Sequence, residues 1–252
     1  MSTFEDYVGK INTAIGNGPN TSKAMQKLEI LFGKALRAFI EHNVRFKPDT
    51  KGKDKGKASN ANATQAQNQI KKLYDQLATV NSTLAGTTLR DLAKKKQDKA
   101  ASEKAGADAA KNDGDTDQAS EDYVSAAINE YRAAICYFAL AQLNDPNRDY
   151  TKKDVQEGEL NYALCLLNAA QDLADAADNE DPDDASEILA ELMVSAALFG
   201  AAKAALEDLE AGARKKAVNF GQTTKDKIKD SKDTADTGQT ASKSSLDSHL
   251  KP

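Results

Sequence analysis

Near its start the chain sets Phe4, Tyr7, Val8, Ile11 and Ile15 three and four residues apart, the spacing that lines one face of an α-helix. Ser2 or Thr3 supplies the cap and the run GNGP, residues 16–19, ends the element. A second helix is predicted after the caps Asn20, Thr21 and Ser22. Its apolar face is Met25, Leu28, Phe32, Ala35, Leu36 and Phe39, and it ends near Phe46, before Pro48. These two read as a hairpin. A third helix has Ile70, Leu73, Tyr74, Leu77, Val80 and Leu84 in phase and is interrupted or kinked at Gly86.

Two stretches lack this signal. Residues 47–63 (KPDTKGKDKGKASNANA) carry no large apolar side chain to offset the entropy of ordering, so a flexible basic loop is predicted there. From Ala93 to Asp122 nothing apolar is larger than alanine. Residues 93–117 therefore read as a hydrophilic linker or a solvated helix, and as the internal boundary of the chain.

Beyond that boundary the pattern strengthens into three long helical segments, roughly 118–143, 154–179 and 184–211. The first carries Val124, Ile128, Tyr131, Ile135 and Phe138, and its second half (AAICYFALAQL) is apolar all round, as suits a helix with neighbours on several sides. The second carries Leu160, Leu164 and Leu167, the third Ile188, Leu192, Phe199 and Leu206. Short connectors holding Pro146 and Pro182 imply antiparallel neighbours, so 118–212 is expected to be an Ala-rich three-helix bundle. The tail, 213–252, has only Val218, Phe220, Ile228, Leu246 and Leu250 as large apolar residues and is expected to be mostly disordered or weakly helical. The expected fold is thus all-α, an antiparallel bundle of about six helices. It comprises an N-terminal hairpin plus third helix (1–92), the linker (93–117), the core (118–212) and the tail.

Composition agrees with helices: 14 Gly and 5 Pro are few for a β-rich chain of 252 residues, and with no Trp the core must be built of Ala, Leu, Ile and Val. Charge changes the picture more. Residues 105–212 hold 24 acidic against 6 basic side chains, whereas 1–104 hold 19 basic against 10 acidic and 213–252 hold 9 against 5. Within 154–202 there are twelve acids and no Lys, Arg or His. Solvated helices ordinarily mix both signs at i, i+4 spacing. A one-sided face repels itself and calls for a basic partner or for this chain's own basic arms.

Candidate chemistry is sparse. His42 and His249 have no accompanying Ser or Cys motif, so no catalytic residue is assigned. No His lies in 105–212, which excludes the usual Glu-x-x-His metal bundle, and no metal or cofactor is expected. Asp113, Asp115 and Asp117 match the first acidic positions of a calcium loop, but Gln118 replaces the required Gly and Val124 the bidentate Glu. They read as an acidic cap for the next helix, with a weak surface divalent site as the rival. The loop Lys51–Lys57 (KGKDKGK) fails the phosphate-loop pattern, since Gly52 and Gly56 are too close and Ala58 follows Lys57. It and Lys94–Lys96 lack aromatics for base stacking, and the net charge is −5, so no specific nucleic-acid partner is expected. Cys136 and Cys165 sit in apolar runs as small hydrophobes, and whether they meet in space stays open.

The opening MSTFEDYVGK has no signal-peptide pattern, and the apolar run Leu192–Ala202 is far short of the ~20 residues of a membrane span. A cytoplasmic protein is expected, or one carried in an assembled particle or virion. The stretches KQDKAASEKAGADAAK and TTKDKIKDSKDTADTGQTA resemble the Ala/Lys/Asp/Thr-rich repeats of group 3 late-embryogenesis-abundant proteins in composition. The repeat period is not sustained, and the apolar core at 118–212 departs from that hydrophilic pattern. The leading expectation is a non-enzymatic helical interaction protein, an adaptor, chaperone-like or assembly component, that uses the acidic face and basic arms to bind a basic protein or itself. The alternatives are a structural subunit of a phage, secretion or scaffold particle, and a stress or desiccation protectant.

Overall fold

The computed structural model describes residues 3–41, 60–142, 149–181 and 183–250. Among these residues it is helical throughout and has no strand, with eight helices: α1 (Phe4–Gly16), α2 (Ser22–Glu41), α3 (Asn60–Leu77), α4 (Gly86–Asp113), α5 (Thr116–Ala141), α6 (Lys153–Ala177), α7 (Ala185–Lys215) and α8 (Gln222–Ser248). Local chemistry sets several ends. Thr3 and Asp6 form a reciprocal capping box at α1, the Thr3 hydroxyl accepting from the Asp6 amide at 3.2 Å and the Asp6 carboxylate from the Thr3 amide at 2.8 Å. Gly114, at φ 81°, closes α4 in the left-handed conformation, and Asp115 then caps α5 by accepting from the Gln118 amide at 3.2 Å.

From α4 onward consecutive helices pack antiparallel in a meander, so α4, α6 and α8 run one way and α5 and α7 the other. Helix α2 lies antiparallel to α5, with Glu29 against Arg132 and Arg37 against Ser125. The buried cluster draws on every helix, from Phe4 through Ile135, Leu166 and Phe199 to Leu246. Helix α5 is buried on nearly all sides from Tyr123 to Ala141, as its apolar second half predicts. Helix α7 is long and apolar enough to cross a membrane by length and composition, but 72% of its apolar window is buried inside the fold.

The helix count is eight among the described residues, not about six. Of the two readings of 93–117, it is the helix that forms over 93–113, as most of the 28-residue α4, a largely exposed helix whose Leu89, Leu92, Ala93, Ala100 and Ala107 are buried. The tail is not disordered through 222–248; it forms the 27-residue α8. Small residues explain both. In the α4–α5 register, Gly86 lies against Leu140 and Asp108 accepts from the Tyr123 hydroxyl, so the alanines at 93, 100 and 107 run alongside those at 119, 126 and 133. A seam of alanines buries little area per residue but lets backbones approach closely, which increases dispersion contacts. Helix α8 docks the same way. A Cβ on Gly238 would overlap the Phe199 ring, Ser242 and Ser195 share a hydrogen bond of 3.0 Å, and the Gln239 amide donates to the Ala196 carbonyl at 3.2 Å. Of the predicted loop 47–63, residues 60–63 belong to α3, and the rest lies outside the described residues, as does His42. His249 follows α8 as its C-cap.

Candidate functional site: an acidic cavity at one end of the bundle

The acids of α6 have counter-charges in α4. Arg90 forks onto Glu157, at 2.8 and 2.9 Å, and donates to Asp154 at 2.6 Å, and the Lys104 ammonium donates to Asp172 at 2.8 Å and Asp175 at 3.4 Å. The partners lie 64–71 residues apart in sequence, because α4 and α6 flank α5 and run in parallel. The acidic run at 154–202 is therefore partly neutralised inside the molecule, by Arg90 and by Lys104, the latter from the segment that sequence patterning reads as a linker or a solvated helix. Lys96 is also committed, to Glu29 at 3.1 Å, while Lys94 makes only an exposed pair with Asp98. Across the α7–α8 contact, Lys232 of α8 pairs with Glu210 and Lys203 of α7 with Asp236, so α8 is bound to the body.

What remains acidic is concentrated where α2 and α6 end and α5 and α7 begin. There a cavity of about 320 Å³ is lined by Glu41, Asp117, Glu121, Glu180, Asp181, Asp184, Glu187 and Glu191, with Ile40 and Val124 as apolar wall. Among the described residues lining it, Arg37 is the one base, and it is engaged by Glu41 at 2.9 Å and by the Ser125 hydroxyl at 2.8 Å.

Most of these carboxylates have a local reason to be there. Asp117 and Glu187 stand in the first turns of α5 and α7, where the helix dipole favours negative charge, and Asp184 is the N-cap residue of α7. Glu180 accepts a short hydrogen bond from the Ser120 hydroxyl; burial raises its pKa, with Asp184, Asp117 and Asp181 adding to the rise against that bond. Of the calcium-loop candidates, Asp113 ends α4, Asp115 is a cap and Asp117 joins the cavity rim. Among the described residues no group of three or more His, Cys, Asp or Glu is arranged to hold a metal ion.

Glu191 is different. It lies nearly two turns into α7, 0% exposed, and neither carboxylate oxygen has a hydrogen-bond partner. Burial pushes its pKa well above the usual carboxylate range, and Glu180 and Glu187 push it further. Sequence patterning reads Glu191 as the polar boundary of the run Leu192–Ala202; its phase, three residues from Ile188 and four from Ser195, is the signal that it faces the core.

The bundle holds other buried ionisable groups. Glu29, 0% exposed, accepts from Arg132 through both carboxylate oxygens. Glu130 accepts from Asn168 at 3.3 Å, and burial raises its pKa to about 7. Cys136 and Cys165 are buried free thiols whose pKa values burial raises, the reverse of an activated nucleophile. Another opening, an exposed groove of about 620 Å³ between α6 and α8, is lined by Leu164, Leu167 and mostly exposed polar side chains such as Thr223 and Asp226. It contains no buried unpaired group, so the acidic cavity is the better candidate. No protein-family model, curated protein or solved structure matches the chain.

Proposed function

We propose that the protein is a non-enzymatic helical interaction protein, an adaptor or assembly component, whose acidic end receives a basic partner. The observation that supports this reading is the division of its acids. Those on the flank of α6 are met by Arg90 and Lys104, whereas eight carboxylates gather around the α6–α7 turn, where Arg37 is the one base among the described lining residues. Fields of one sign in a concave site steer and hold oppositely charged ligands. The two stretches that suggested a protectant are packed helices, which leaves that alternative without its motivating feature. Of the two basic arms, the C-terminal one is docked on α7 as a helix, with Lys232 paired to Glu210, so the partner's own basic residues, or the lysines at 51, 53, 55 and 57, are the proposed source of the complementary charge.

Light scattering and co-purification at low and high salt test this. Association is expected to weaken as the screening length falls from about 10 Å at 0.1 M to about 3 Å at 1 M salt. It is also expected to be lost when Asp117, Glu121, Asp181 and Asp184 are changed to Asn or Gln with helical content intact. A complex that persists at high salt in that variant has an apolar interface, and the reading fails.

A further inference from the structure

Within that cavity one buried group has no hydrogen-bond partner among the described residues. Glu191 forms part of the lining, is 0% exposed, and leaves both carboxylate oxygens without a hydrogen bond. A carboxylate closed off from water is costly unless a cation or donors meet it, and a soluble fold usually replaces such a group by an apolar one. Arg37 does not meet it, being held by Glu41 and Ser125. The apolar wall, Ile40 at 2% and Val124 at 6% exposure, offers surface for methylene groups beside the acid. At roughly 30 Å³ per water the space holds on the order of ten waters, far more than one bare ion needs. The described residues offer no cluster arranged as metal ligands.

We propose that the cavity takes a primary ammonium on an alkyl stem, its head at Glu191 and its methylenes along Ile40 and Val124, supplied by a lysine of a docked polypeptide or by a free polyamine. The inference rests on the reading of the acidic end as a docking site and adds its chemical specificity. An ammonium carries three donors on a compact head, which matches the two unpaired oxygens of Glu191 with the Glu180 and Glu187 carboxylates near them.

The test is isothermal titration of the full chain with pentalysine, with spermine, and with calcium or magnesium chloride, at about 0.1 M salt. Pentalysine or spermine is expected to bind, and Glu191→Gln is expected to weaken that binding by about tenfold or more while circular dichroism stays unchanged. Should Glu191→Gln fail to fold, Val124→Phe narrows the cavity without touching a carboxylate and is expected to cause the same loss. Spermine alone binding assigns a polyamine, and pentalysine alone a polypeptide lysine. Equal binding by the wild type and both variants means the outer carboxylates suffice, which overturns the inference and leaves the docking reading standing. Binding of neither amine overturns both. Divalent binding that is lost in Glu191→Gln, without amine binding, makes this a metal site and overturns the ammonium assignment.

Discussion

Glu29 and Glu191 are two glutamates closed to water on helices that both pack on the centre of the bundle, and their surroundings differ in the one respect that matters for a charge. Glu29 on α2 receives the Arg132 guanidinium from α5 and the Lys96 ammonium from α4, and Asn129 holds Arg132 in turn at 3.1 Å. Room for this comes from Gly33, where a Cβ would stand 2.9 Å from the Arg132 side chain. Glu191 on α7 has no such partner among the described residues. The first arrangement ties three helices into one register. The second offers no such return among the described residues, which is the feature the proposed docking of an outside cation accounts for.

The strongest way to break the comparison is to make Glu29 resemble Glu191. Arg132→Met keeps much of the side-chain volume but strands the Glu29 carboxylate with Lys96 alone. A loss of about 3–5 kcal/mol in chemical denaturation is expected, because removing one partner of a buried pair leaves an uncompensated charge. Little change would mean that Lys96 or water meets Glu29 fully, and the contrast with Glu191 would lose its basis.

Next in size is the response to pH. Burial raises the pKa of Glu130 to about 7 and of Asp172 to about 6, in Asp172 against the opposing hydrogen bond and charge of Lys104, and that of Glu191 is raised as well. Each group binds its proton more tightly folded than unfolded, so unfolding releases protons and stability declines with rising pH. The contribution is full below about pH 4, the unfolded carboxylate range, and is lost as pH rises through about 6 to 7. Glu130 alone accounts for on the order of 2–3 kcal/mol between these limits. Denaturation at pH 5 and pH 8 checks the sign, and Glu130→Gln should flatten the profile.

A smaller effect of opposite direction is expected at Glu191. In the absence of a ligand, Glu191→Met should stabilise the fold by about 1–2 kcal/mol, since an apolar group of similar size carries no desolvation penalty. A destabilised variant would reveal a structural partner for the carboxylate. Together with lost amine binding, a gain in melting temperature marks a residue kept for function at the expense of stability.

How much of this the sequence discloses depends on the size of the side chains doing the packing. Helices α1, α2 and α5 to α7 are legible because Leu, Ile, Phe and Tyr recur at helical spacing against a polar background. Helices α4 and α8 are much less so, since apart from Leu89 and Leu92 at the start of α4 and Ile228 and Leu246 near the ends of α8 their buried rows are Ala93, Ala100 and Ala107, or Ser231, Ala235 and Ser242, and such residues give no contrast with an exposed alanine or serine. Missing α4 as a packed helix also hides the counter-charges of α6, which depend on two helices separated by a third. Glu29 and Glu191 are each in phase with an apolar face, Met25, Leu28 and Phe32 for one and Ile188, Leu192 and Ser195 for the other. Phase marks both as buried but cannot tell which is paired, because Arg132 is 103 residues from Glu29 and no periodicity links them.

The smallest expected effect sets the floor of the scale. Lys94 and Asp98 form an i, i+4 pair at 3.3 Å on the outer face of α4, with side chains 73% and 65% exposed. In high dielectric the Coulomb gain is largely offset by hydration and by the entropy of holding two long side chains, so such pairs contribute about 0.3–0.5 kcal/mol. Lys94→Gln should therefore barely move the denaturation midpoint at low salt, and not at all at 1 M. Lys96→Gln, two residues on, removes an ammonium from the 0% exposed Glu29 and should cost several times more at either salt concentration. If the two lysines prove equivalent, Arg132 alone neutralises Glu29, and α4 is held to α2 and α5 by its alanine seam without help from charge.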